Sequence, residues 1–131
     1  MKKLLLIFTL LFSTLMFSTP SYGEWTKVSE TMSGSIVYVD FERIRKHGGY
    51  VYWWDLNNYL KPISKGYFST KTYFQGDCKL FRYKPLSGTF YKESMGGGTG
   101  DLIEIPTIHK GWRYPMPDSA DETILKRVCN Q

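Results

Sequence analysis

The sequence predicts an α+β domain: a mainly antiparallel β-sheet with one C-terminal helix packed on it and tied to it by a disulfide. Three observations predict this fold class. Short β-branched and aromatic runs, separated by turn residues, fill the chain from Trp25 to about Tyr91. A single amphipathic helical stretch follows near the C-terminus. The only two cysteines are Cys78 in the strand region and Cys129 in the helical stretch, so one bond can join helix and sheet.

The N-terminus has the pattern of a cleavable export signal. A charged start at Lys2 and Lys3 precedes an apolar run over residues 4–17 and small residues before a cleavage point after Gly23. The run is shorter than the about 20 residues that a membrane-spanning helix needs. We therefore expect residues 1–23 to be a signal peptide and residues 24–131 to form one domain, in an oxidising compartment that favours the disulfide.

Composition also bears on location and partners. A lipoprotein signal would place a cysteine just after the apolar run, and the first cysteine here is Cys78. We therefore expect an exported protein without a lipid anchor, in the periplasm or at the cell surface. The formal net charge of the whole chain is +5, and two of its lysines belong to the signal. The remaining excess is too small to predict a nucleic-acid partner.

The first predicted strand is Ser35–Asp40. The following residues, Asp40–Gly49, are too polar for a strand and are interpreted as a connection with a basic tip. The strongest strand propensity lies in Tyr50–Leu56, and Asn57-Asn58 is expected to end this strand or let it bulge. Its aromatic residues alternate, and we expect one of its two faces to be buried under the helix.

Further along the chain, Tyr67–Tyr83 is predicted to form two strands with a bend at Gly76-Asp77, just before Cys78. Gly88 indicates another turn. The glycine-rich stretch Met95–Asp101 is predicted to be a turn, because it is too flexible to hold a strand. The last strand is predicted at Leu102–Ile105.

The C-terminal stretch has the marks of a helix with a defined start. Ser119–Glu122 has the S-x-x-E form of a capping box, in which the serine caps the first turn. Ile124, Leu125, Val128 and Cys129 then share one stripe at helical spacing. This stripe is predicted to lie on the sheet, where Cys129 reaches Cys78.

Two features are candidates for ligand binding. Arg43, Arg45, Lys46 and His47 form a dense basic segment, which indicates either a site for an acidic partner or an ordinary solvated loop. Alternation places Tyr52 and Trp54 on one face with Tyr50, where they form either a stacking platform or part of the core. The candidate ligand residues are therefore Arg43, Arg45, Lys46, Tyr52 and Trp54, and an aromatic excess outside the core would mark a partner or a homodimer surface.

The sequence contains no pattern typical of catalysis or of metal binding. It lacks C-x-x-C, H-x-x-x-H and G-x-S-x-G spacings, and Met95–Asp101 has no lysine for a phosphate loop. We expect no enzyme activity, no metal and no cofactor. The alternative, a small periplasmic hydrolase, would require His47 or His109 to meet a carboxylate such as Asp40, Asp55 or Asp101.

A series of short motifs, in order along residues 24–131, resembles the surface-adhesin protein E family of bacterial exported domains. The motifs are Trp25, Tyr38-Val39-Asp40, the connection Ile44–Gly49, Trp54, Asp77-Cys78, Met95-Gly96-Gly97-Gly98, Trp112-Arg113-Tyr114, Pro117-Asp118-Ser119 and Cys129.

The resemblance implies an antiparallel sheet with a disulfide-tied C-terminal helix, in agreement with the fold class predicted from the residues. The best-known member is a non-enzymatic, lipid-anchored adhesin for extracellular-matrix and plasma proteins of a host. No binding residue of that adhesin has a counterpart here by position. The function expected is therefore binding of a host matrix or cell-envelope protein or of an acidic glycan. The alternative is a periplasmic accessory protein with no host partner.

Overall fold

The computed structural model describes residues 24–131, and the expected signal peptide over residues 1–23 lies outside the described residues. Within the described range, seven strands form one antiparallel sheet that a single α-helix follows. The strands are β1 (Thr26–Glu30), β2 (Ile36–Val39), β3 (Arg45–His47), β4 (Tyr50–Ile63), β5 (Tyr67–Asp77), β6 (Arg82–Tyr91) and β7 (Gly100–Ile103), and the helix is α1 (Ala120–Cys129). The predicted fold class is confirmed.

The strands lie in the order β1-β2-β4-β5-β6-β7. The short strand β3 pairs with the start of β4, and β2 pairs with a later part of β4. The prediction that Asp40–Gly49 contains no strand is therefore wrong over Arg45–His47. Backbone pairing with β4 outweighs the low strand propensity of these polar residues. β4 itself continues past Leu56, because Asn57 and Asn58 stay paired with β5 and the register is irregular only after Asn58.

Two glycines that predict turns lie inside strands. Gly88 is paired on both sides within β6. Gly76 lies in β5 under the helix, where an added Cβ would be 2.7 Å from Trp53 Cζ3 and 3.1 Å from Leu125 Cδ1. Close packing of Trp53 from β4, and of Leu125 from the helix, therefore requires glycine at position 76, and chain reversal does not.

The bend predicted at Gly76-Asp77, just before Cys78, is wrong, because β5 runs to Asp77 and the chain reverses between Cys78 and Arg82. Asp77 holds this turn, because its carboxylate accepts hydrogen bonds from the Leu80 amide at 3.2 Å and from Arg82 Nε at 3.0 Å. Burial alone would raise the pKa of Asp77, but these hydrogen bonds and the Arg82 charge outweigh it and lower the pKa. Asp77 is therefore a charged anchor beside the disulfide.

α1 begins at the predicted cap, where Ser119 Oγ accepts a hydrogen bond from the Glu122 amide at 3.2 Å. Buried side chains of the sheet and of the helix together form the core: Val37, Val39, Val51, Trp53, Tyr83, Ile124, Leu125 and Val128. Burial of each large side chain stabilises the fold by about 1.5–3 kcal/mol. The Cys78–Cys129 disulfide holds the C-terminal end of the helix to the sheet, as predicted.

Candidate binding face

The side chains of β4 alternate between the two faces of the sheet. Val51 and Trp53 are 3% and 2% exposed and lie in the core under α1. Tyr50, Tyr52 and Trp54 alternate with them and are half-buried on the opposite side. The predicted alternation is confirmed. We call the side of the sheet opposite α1 the open face.

Pairing with β5 extends the aromatic surface across the open face. Trp54 lies opposite Tyr73, with ring centroids 4.8 Å apart, and Tyr73 also stacks with Tyr52 at 6.1 Å. Gln75 Nε2 donates a hydrogen bond to Tyr52 Oη at 3.1 Å. The aromatic residues of β4 are thus held in fixed positions by their β5 neighbours.

The strand β3 divides the predicted basic segment between the two sides of the sheet. Arg45 lies opposite Tyr52 and so belongs to the open face, whereas Lys46 lies opposite the core residue Val51. The Lys46 ammonium donates a hydrogen bond to the carbonyl of Gln131 at the end of the chain. Lys46 is therefore not part of the surface on which Arg45 lies.

Four of the five candidate residues do lie together. A cavity of about 610 Å³ on the open face is lined by Glu42, Arg43, Ile44, Arg45, Trp54 and Tyr73. Tyr52 adjoins it through its stacking with Tyr73. Arg43 Nε is fixed by Asp40 Oδ2 at 3.3 Å, and that carboxylate is buried. We call this cavity the main groove.

Sequence reasoning missed a second cluster around Trp112. This indole stacks on Tyr50 with ring centroids 5.7 Å apart, and Arg82 and Lys84 lie 4.5 and 4.7 Å from its ring centre. Arg82 and Lys84 are two residues apart in a strand, and from this spacing the sequence could have indicated that they share a face. Trp112 gives no such signal, because a loop brings it there through pairing of Arg113 with Tyr83.

A smaller cavity of about 210 Å³ adjoins the main groove. It is lined by Trp25, Asp40, Arg43, Trp54, Lys71, Thr89 and Tyr91. Arg43 and Trp54 form the shared wall of the two cavities. We call this smaller cavity the Trp25 pocket. β-alternation indicates that Thr89 and Tyr91 share a face, and the pairing of β5 with β6 places Lys71 opposite Thr89. Neither indicates that Trp25 lies there.

Five cations border the open face, namely Arg43, Arg45, Lys71, Arg82 and Lys84. Arg43 and Arg82 form ion pairs with Asp40 and Asp77. Among residues 24–131, no carboxylate lies within 4.0 Å of the charged nitrogens of the other three. Positive charge without a local partner is therefore concentrated beside aromatic rings.

The alternative of a hydrolase finds no support in the arrangement of the histidines. His47 and His109 are both exposed, and within the described part of the chain neither imidazole forms a hydrogen bond or ion pair with a carboxylate. The same residues contain no group of three or more His, Cys, Asp or Glu placed to hold a metal ion.

One unusual carboxyl lies on the core side. Asp55 is 4% exposed beneath α1, and its Oδ1 has no hydrogen-bond partner among the described residues. Burial, and then the charge of Asp121, raises the pKa of Asp55 well above its usual range. Asp121 itself accepts a hydrogen bond from Tyr83 Oη at 2.7 Å. Asp55 thus borders the helix and not the open face.

The fold and the open face define a class of protein: an α+β domain with a disulfide-bound helix on one side of the sheet and a cationic, aromatic surface on the other. The family model described as surface-adhesin protein E matches residues 25–130. The chain therefore belongs to the surface-adhesin protein E family, which confirms the resemblance. This membership supports a non-enzymatic surface adhesin and implies an exported or cell-surface protein.

Solved structures of Haemophilus influenzae protein E share the fold. Its crystal form II has a TM-score of 0.64 at 18% identity, covering 86% of this chain and 91% of that chain. A second structure gives 0.63 at 18%, covering 86% and 88%. Protein E from the non-typeable organism gives 0.58 at 15%, covering 86% and 79%. Curated proteins gave no match. In residues 24–131 no helix has the length and hydropathy to cross a membrane.

Proposed function

We propose that this protein is a non-catalytic, exported binding domain that attaches to an acidic glycan of a host matrix or of the cell envelope through its open face. One observation carries the proposal: Arg45, which has no carboxylate partner in the described residues, lines the main groove together with Trp54 and Tyr73. Aromatic rings offer flat surfaces for sugar rings, and the cations attract anionic substituents. Family membership supports the binding role.

The main groove suits a glycan because its charge and its apolar area are interleaved. Arg45 stands beside Tyr52 in the strand pairing, and Trp54 follows two residues later on the same side. A ligand that lies along β4 would meet a cation and aromatic rings in turn. An acidic protein surface is the competing ligand, since it matches the charge but makes less use of stacking.

Charge reversal at two adjacent residues tests this proposal. Arg45→Glu changes the open face, whereas Lys46→Glu makes the same change in net charge on the other side of the sheet. Retention on immobilised heparin in a NaCl gradient is the measurement. We expect Arg45→Glu to elute at clearly lower salt than the wild type, and Lys46→Glu to elute close to it. Melting temperatures establish that both variants are folded.

Equal elution of the two variants would contradict the proposal, because the effect would then depend on net charge alone. An acidic protein ligand predicts a different pattern: no retention of the wild type on heparin, but binding to immobilised poly-glutamate that Arg45→Glu weakens. The two ligands are thus separated by the same pair of variants.

The proposed role also requires the protein to reach the outside of the cell. Proteolysis of intact cells, followed by fractionation, measures this directly. Digestion of the protein in intact cells is expected. Protection until the outer membrane is opened would favour a periplasmic accessory protein without a host partner.

A further inference from the structure

The Trp25 pocket contains a lysine whose position is built into the fold. The Lys71 ammonium lies 5.7 Å from the ring centre of Trp25 and 5.2 Å from that of Tyr91. Both distances are within cation–π range. In residues 24–131 no carboxylate lies within ion-pair distance of this ammonium. The aromatic rings therefore hold the charge without neutralising it.

The glycine-rich loop after β6 packs against this lysine and holds it in place. Gly96 has φ of +71°, and an added Cβ there would lie 2.5 Å from Lys71 Cε. The Gly96 amide donates a hydrogen bond to Ser69 Oγ at 2.8 Å, and this hydroxyl donates to the Glu93 carbonyl at 2.6 Å. The stretch that the sequence marks as a flexible turn is thus fastened to β5. It confines the aliphatic part of Lys71 and directs its ammonium to the aromatic rings.

The walls of the pocket limit the class of ligand. Trp25, Trp54 and Tyr91 supply aromatic surface, Thr89 supplies a hydroxyl, and Lys71 supplies a charge. Asp40 also lines the pocket, but it is committed to Arg43 Nε and to the Glu42 amide. Aromatic surface, a hydroxyl and a cation that pairs with no carboxylate of residues 24–131 fit a sugar ring that carries one anionic group.

Arg43 and Trp54 line both cavities, so the Trp25 pocket lies directly beside the main groove. A ligand that fills both must extend through more than one ring. We propose that the Trp25 pocket is a subsite for an anionic sugar residue within a linear glycan, with Lys71 as the residue that binds its carboxylate or sulfate. This inference rests on the proposed function and names the class of ligand for the same face.

Calorimetric titration with defined oligosaccharides tests the subsite. The probes are a hyaluronan hexasaccharide, which is carboxylated only, a heparin hexasaccharide, which is also sulfated, and neutral chitohexaose. We expect at least one anionic probe to bind, and Lys71→Met to weaken it about tenfold, the loss expected for one charge-assisted hydrogen bond. Lys71→Arg should keep most of the affinity. The anionic probe that binds identifies the group as carboxylate or sulfate.

Lys92→Met is the matched control, because the Lys92 ammonium also lies over an aromatic ring, at 4.6 Å from that of Tyr67, but does not line either cavity. It should bind the probes like the wild type. Equal affinities of Lys71→Met and the wild type, or equally tight binding of chitohexaose, would overturn the subsite. Sialyllactose that binds as tightly as the hexasaccharides would overturn the linear arrangement. Retention of the wild type on heparin with loss in Arg45→Glu would leave the proposed function intact in each case.

Discussion

Replacement of Asp55 by asparagine is expected to stabilise the protein at neutral pH. Asp55 is 4% exposed, and its Oδ1 has no partner in the described residues. Burial, and then the charge of Asp121, raises its pKa. The ionised form must lose its hydration without compensating hydrogen bonds. An amide has the same shape and no charge, so it avoids most of this cost.

The expected gain follows from the desolvation penalty of the ionised carboxylate, which the neutral amide does not incur, and is about 1–3 kcal/mol. The folded pKa of Asp55 lies above the unfolded value of about 3.9, so folding holds the proton more tightly. The contribution of Asp55 to the free energy of unfolding is therefore fully present below about pH 4. It is lost as the pH rises through the folded pKa. Asp55→Asn should exceed the wild type in unfolding free energy by about 1–3 kcal/mol at pH 8 and by little at pH 4.

Urea unfolding followed by tryptophan fluorescence at pH 4 and pH 8 measures both differences. Asp118→Asn serves as the control, because Asp118 is exposed and its φ of 63° suits asparagine as well as aspartate. It should change stability little at either pH. A variant Asp55→Asn that is less stable than the wild type at pH 8, or equally stabilised at both pH values, would refute the reasoning.

Two further predictions concern the attachment of the helix. Replacement of both Cys78 and Cys129 by serine should lower the unfolding free energy by about 4 kcal/mol, because the bond closes a sequence separation of 51 residues; denaturant titration measures the loss, and one below about 1 kcal/mol would contradict the loop-closure argument. Gly76→Ala should cost about 1–3 kcal/mol by crowding Trp53. Its melting temperature should fall relative to Gly111→Ala, where an added Cβ meets nothing within 4 Å, and equal melting temperatures would count against the close approach.

The parts of the fold that the sequence predicts are those with a local period or a local cap. Period-two alternation in β4 correctly separates Trp53 from Trp54, because neighbouring side chains in a strand must point to opposite sides. The S-x-x-E pattern correctly places the helix start at Ser119, because the cap acts within one turn. The disulfide is predictable because export and two cysteines leave one simple pairing.

The parts that the sequence does not predict depend on neighbours distant in the chain. Gly76 resembles a turn residue until Trp53 of β4 and Leu125 of α1 are known to pack against it. Arg45 and Lys46 form one basic run until pairing with β4 sends them to opposite sides. Trp112 reaches the open face only because residue 113 pairs with β6. In each case the deciding contact is tertiary, and the local sequence does not predict it.

The division of the sheet into two faces also limits the kind of partner that the open face can accept. A helix of ten residues is about 15 Å long and covers only one side of the sheet. On the other side, loops cover part of the sheet, and cations lie beside the remaining aromatic rings: Arg82 and Lys84 lie over Trp112, and Lys71 lies beside Trp25. Charged groups of this kind are strongly hydrated when they have no ionic partner. An apolar partner would bury Lys71 and Lys84 without counterions, at a cost that stacking does not recover. A partner that brings anionic groups replaces the lost hydration and gains the aromatic contacts as well. The arrangement of the open face therefore favours an acidic ligand over an apolar one.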